Sequence, residues 1–182
     1  ELVQRQKLAS RAEAVKMLHA PSSHDDIARG RERLAFEELF EMLLAAAYNK
    51  HEQTKLTGWQ IPFDQPTVKH FVDQLPFQLT GAQKRAAWQI LQDFEQPHPM
   101  NRLLQGDVGS GKTAVAALAA AQAAQAGFQT ALMAPTEILA TQHAETLEQL
   151  LSPLGVRVAL LTGHIKGAAR KQLLEHLQNG DI

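Results

Sequence analysis

Apolar and polar positions along this chain follow two textures, and the change from one to the other marks its organisation. Through the first 18 residues leucine, valine and alanine recur at loose helical spacing among mixed charges, up to a stop near Pro21. A second helix follows, with Ser22 or Ser23 placed to cap it and Asp25 and Asp26 complementing its positive end. Phe36, Phe40, Leu43 and Ala47 then fall on one face. From Lys50 to about Val68 the residues turn to Thr, Gly, Gln and Pro, punctuated by Gly58, Pro62 and Pro66, which reads as a connector. A third helix is expected from its cap at Thr80 through Gln83 to Phe94, where Pro97 and Pro99 stop it.

Beyond residue 100, short apolar runs alternate with helical stretches. Leu103 and Leu104 end a candidate strand, and Ala114 to Ala126 is nearly pure helix former with Gly127 as its C-terminal cap. Thr130 to Ala134 reads as a second buried strand, Pro135 and Thr136 as a turn, and Glu137 to about Leu151 as a helix. Val156 to Leu161 makes a third strand candidate, followed by a loop from Thr162 to Gly167 and a helix from Ala168 to Gln178 that Asn179-Gly180 closes. Strands alternating with helices of this length predict right-handed crossovers and a parallel sheet covered on both faces. The expected class is therefore α/β, a partial parallel sheet preceded by a mainly helical N-terminal segment.

The stretch between the first strand candidate and its helix carries the chemistry. Gly106, Asp107, Val108, Gly109, Ser110, Gly111, Lys112 and Thr113 fit the phosphate-binding pattern G-x-x-x-x-G-K-[ST]. Glycines let such a backbone curl into a nest of N–H groups facing a phosphate, and the following helix adds partial positive charge. Lys112 is then placed to reach the β and γ phosphates of a bound nucleotide, and Thr113 to offer its hydroxyl to Mg²⁺.

Composition narrows the remaining possibilities. The 182 residues are 45% hydrophobic without an 18-residue apolar stretch or a secretion leader, so no membrane association is expected. The absence of cysteine removes disulfides and thiolate metal sites, and fits a reducing cytoplasm. With 18 basic and 19 acidic residues there is no bulk field for nucleic acid, and any such contact must be local. The eight histidines show no recognised metal-ligand spacing.

Pro99 to Gln105 leading into the phosphate loop, with Ala134-Pro135-Thr136-Glu137-Ile138-Leu139-Ala140 after it, resembles the RecG family of bacterial superfamily 2 DNA helicases. Leu75-Pro76-Phe77-Gln78-Leu79-Thr80-Gly81-Ala82-Gln83 is similar to that family's adenine-recognising Q motif, and Leu161-Thr162-Gly163 falls where a DNA-contacting motif lies. Arg31 to Leu39 looks like the helical link between the family's wedge domain and its motor. The resemblance covers nearly the whole chain. It implies residues 1–70 as a helical linker after the wedge, and residues 71–182 as the start of the first RecA-like domain, truncated before the acidic Walker B motif.

The same resemblance implies ATP-driven unwinding or reversal of branched DNA in recombination and repair, in a monomer of the bacterial cytoplasm associated with the nucleoid. Lys112 and Thr113 would be catalytic, while this fragment alone would be inactive. Gln83 would pair with the N6 donor and N7 acceptor of adenine, or else serve as an ordinary helical glutamine. Phe77 would pack on the base or staple the helix start. Pro135, Thr136, Thr162 and Gly163 would touch the DNA backbone, although Thr136 would look the same as a plain helix cap. A transcription-repair coupling translocase or another superfamily 2 motor is the nearest alternative, and a non-catalytic nucleotide-binding or scaffold module is another.

Overall fold

Helix caps and apolar faces set the architecture of the computed structural model, which describes residues 2–182. The chain divides into two compact units, Glu1–Leu56 and Thr57–Ile182.

The first unit contains α1 (Leu2–Arg5), α2 (Arg11–His19) and α3 (His24–Thr54). Ser10 starts α2 with a capping box, its hydroxyl accepting from the Glu13 amide while the Glu13 carboxylate accepts from the Ser10 amide. Those bonds hold the Glu13 carboxyl below its ordinary range. Ser23 caps α3, and the Ser22 amide donates to Asp26 at 2.9 Å. The α2–α3 contact closes around Gly30, where a Cβ would lie 2.9 Å from Leu18 Cγ. The buried stripe of α3 thus sits at Gly30 and Arg33. Of the face expected from the sequence, Leu43 is 68% exposed, and Phe36 and Phe40 stack on each other at 6.0 Å.

The second unit is built on α6 (Lys112–Gln125), packed against α4 (Gln65–Gln74), α5 (Gly81–Phe94) and α7 (Glu137–Leu151). α6 buries Ala114, Val115, Ala117, Leu118, Ala120, Ala121 and Ala123, and these small side chains let neighbouring helices approach closely. Phe71, Ile90, Leu91, Leu147 and Leu151 complete that core. α4 begins in the last residues of the stretch read as a connector and runs on past it. Asp64 caps it through the Thr67 amide at 2.9 Å, and Pro66 occupies its first turn, where a missing N–H costs nothing. Gly58 and Ile61 are tied to the segment ending α5 by Gly58 N–H to Pro97 O and Ile61 N–H to Phe94 O, both at 2.8 Å. A last helix, α8 (Gly167–Gln178), follows α7 and a short 3₁₀ turn at Ser152–Leu154.

The expected α/β class with a P-loop parallel sheet is corrected here: among the described residues there is no strand, and the fold is helical throughout. The three runs assigned to strands, at 103–104, 130–134 and 156–161, take no regular structure. A parallel strand exists only when neighbours pair its backbone groups, and short apolar runs signal burial without saying against what. Here helices supply the core instead, and Leu103 and Met133 stand 86% and 94% exposed.

Candidate functional site

The phosphate loop keeps a nest-like backbone ahead of α6. Gly109 and Gly111 take left-handed φ of +78° and +77°, a region that costs glycine little and other residues much. Gly111 is also the N-cap of α6, so the loop passes straight into the helix N-terminus. The Ser110 amide donates to Asp107 O at 3.1 Å, closing a tight turn. The Lys112 ammonium folds back onto the loop, donating to Gly106 O at 2.7 Å and Asp107 O at 2.8 Å. Thr113 is half-buried in the first turn, whereas Gly106 to Ser110 are exposed.

Gln83 ties α5 to this loop. Its Oε1 accepts from the Thr80 amide at 2.7 Å, its own amide donates to Thr80 Oγ1 at 3.2 Å, and its Nε2 donates to Ser110 O at 2.8 Å. A Cβ at Gly111 would collide with that Nε2. The structure thus brings Gln83, Ser110, Gly111 and Lys112 into one constellation. Phe77 is 46% exposed in the turn before α5, and no aromatic pairing involves it among the described residues.

Pro135 and Thr136 precede α7, which Thr136 caps through the Leu139 amide at 3.3 Å. Glu137, the first helical residue, brings this end together with the loop holding Thr162 and Gly163. His164 Nδ1 lies 2.6 Å from its carboxylate oxygens, and the Thr162 hydroxyl and His164 together hold its carboxyl below the ordinary range. The sequence alone assigns neither Glu137 nor His164 a role at the site, since neither residue type signals anything until the fold pairs them across 27 positions. Among the described residues, no cluster of three or more His, Asp or Glu side chains could hold a metal, and no helix is long and apolar enough to cross a membrane.

Residues 80–182, more than half of the chain, match the family described as DEAD/DEAH box helicase. The chain belongs to the DEAD/DEAH box helicase family. Among this helicase family's curated members, it is 48% identical over 183 residues to the ATP-dependent DNA helicase RecG of Staphylococcus aureus (strain Mu50), covering 100% of this chain and 26% of the relative. The RecG of Staphylococcus epidermidis (strain ATCC 12228) is 47% identical, with 27% of its length covered. The chain therefore spans about a quarter of the length of these relatives. A solved structure of RecG bound to a three-way DNA junction superposes with a TM-score of 0.85 at 41% identity, over 98% of this chain and 24% of that one.

The likeness to RecG thus runs the length of this helicase-family chain, but the course expected for it is corrected. A helical link entering the first strands of a RecA-like domain is not what the described residues form. Their structure is helical on both sides of the phosphate loop.

Proposed function

We propose that this chain is the nucleotide-binding part of a longer ATP-dependent DNA helicase acting on branched DNA in recombination and repair, with residues 71–182 holding the nucleotide and residues 1–70 forming a helical segment before it. The reading is supported by the names of the relatives, which are ATP-dependent helicases, and by the junction-bound state of the related structure. The observation that carries it is the loop itself, two left-handed glycines and a lysine ammonium gathered at the N-terminus of α6.

The residues present fit Mg²⁺-ATP. Gly109 and Gly111 hold the positive φ that turns the loop amides inward, and the Lys112 ammonium already sits on the loop carbonyls that border a phosphate nest. Lys112 would exchange those carbonyls for phosphate oxygens, the amides from Gly106 to Gly111 would line the nest, and Thr113 would meet the magnesium. When bound, the nucleotide supplies the phosphoanhydride whose cleavage drives motor work. Gln83 would read adenine and Phe77 would cover its face. Because both ends of the Gln83 amide are already engaged, adenine pairing exchanges two hydrogen bonds for two. The net gain of such an exchange is small, so base selectivity from this residue is modest. Pro135, Thr136, Thr162 and Gly163 would contact the DNA backbone.

Isothermal titration of the chain with Mg²⁺-ATP tests the reading. Binding that weakens about tenfold or more in Lys112→Ala, as expected from losing a charge-assisted phosphate contact, supports it. Equal affinity in the two folded proteins overturns it. The chain by itself is expected to bind ATP without turning it over.

A further inference from the structure

Thr162 and His164 flank Gly163, and His164 Nδ1 lies 2.6 Å from the Glu137 carboxylate oxygens. Three of the four residues assigned above to the DNA backbone, Thr136, Thr162 and Gly163, are therefore immediate neighbours in sequence of this contact or part of it. A carboxylate and a phosphodiester present the same thing to a hydroxyl and a ring N–H: an anionic oxygen acceptor. Glu137 occupies a donor that a DNA phosphate arriving at this loop would use.

We propose that Glu137 is an internal stand-in for a DNA phosphate, holding His164 beside Thr162 and Gly163 while no strand is present and yielding it when one binds. The inference rests on the DNA-backbone reading of the Thr136 and Thr162 loops. The His164 side chain is 86% exposed and that of Glu137 42%, so the pair is of the weak surface kind that a strand can displace. Once displaced, the carboxylate still repels the phosphate beside it. Glu137 therefore lowers affinity and raises the threshold for stable engagement, which favours strands that make additional contacts elsewhere.

Fluorescence anisotropy of the chain with a labelled single-stranded oligothymidylate at fixed low salt, together with carbon NMR of the Glu137 carboxyl, decides the matter. Glu137→Gln removes the charge and is expected to bind about 3- to 10-fold tighter. Glu145→Gln makes the same charge change on α7, about 12 Å further along the helix at 1.5 Å per residue, and should stay near wild type. In Thr162→Val combined with His164→Ala, the Glu137 carboxyl should titrate higher than in the wild type, and DNA binding should not tighten. A wild type that binds the oligonucleotide with no gain in Glu137→Gln overturns the inference alone. A Glu137 titration unmoved by the double variant does the same. If no variant binds while the Glu137 contact persists by NMR, the DNA-backbone reading fails and the inference falls with it.

Discussion

Replacing Gly111 with alanine tests how far the phosphate loop depends on its contact with Gln83. Two costs arise at this position. An alanine at φ +77° sits in the left-handed region, at about 1–2 kcal/mol, partly offset by about 0.4–1 kcal/mol because alanine has less unfolded-state freedom to lose than glycine. Its Cβ would also meet Gln83 Nε2, so the amide must swing away from Ser110 O and give up their 2.8 Å hydrogen bond, worth about 0.5–1.5 kcal/mol. Gly127→Ala supplies the control, since Gly127 has φ +81° and nothing within 4 Å of where a Cβ would go. Gly111→Ala should therefore be less stable than Gly127→Ala by about 0.5–1.5 kcal/mol, read as a difference of a few degrees in thermal denaturation followed by circular dichroism. In the Gln83→Ala background the Gly111 penalty should fall to that of Gly127→Ala, because the collision partner is gone. Equal destabilisation by the two glycine substitutions in wild type, or an unchanged Gly111 penalty without Gln83, would refute the loop-to-helix tie.

Three further outcomes are expected. Phe71→Ala removes one of the largest fully buried side chains and should cost about 3–5 kcal/mol in urea denaturation, whereas a loss below about 1 kcal/mol would show that α4 is not anchored in the core as described. Gln83→Ala should change the ratio of ATP to GTP affinity by less than about tenfold in competition titrations, a larger change showing that the amide gains more from adenine than it gives up at Thr80 and Ser110. Acidification should leave stability flat from pH 7 to 5 and reduce it below about pH 4: the Glu13, Asp64, Glu137 and Asp181 carboxyls are held below their ordinary values, so their contribution is complete above the unfolded pKa and is lost as pH falls through the folded one. Thermal melts across that range would contradict this if the loss began above pH 5.

Local signals made much of the helical framework readable. Thr80 and Thr136 are hydroxyl caps three residues before an amide they accept from, Gly127 and Gly180 take the positive φ that ends a helix, and each acts within a few residues of itself. Proline misled at Pro66, where punctuation and the first turn of a helix look identical until Asp64 is seen to cap α4. Leu103, Met133 and Leu161 misled differently, because an apolar run reports only a tendency to be buried, and the partner that would make it a strand is non-local. The tight turn from Gly106 to Gly111 is legible in its glycine spacing because the positive φ of Gly109 and Gly111 is a local property. The Gln83 bond to Ser110 spans 27 residues, as does the Glu137 pair with His164, and no spacing rule reaches that far.

The alanine-rich α6 gives the phosphate loop an unusual foundation. Three flanking helices pack over it, so exchange of its amides is expected to need cooperative unfolding of the second unit. The exposed turn from Gly106 to Ser110 is held only by the Ser110–Asp107 turn bond and the Gln83 and Lys112 side chains, and its amides are expected to exchange far faster. Protection thus changes steeply within a few residues of Lys112. A nucleotide arriving there would tighten a thin lip fixed to an unyielding post, and slowed exchange would report it at the lip while the post stayed silent.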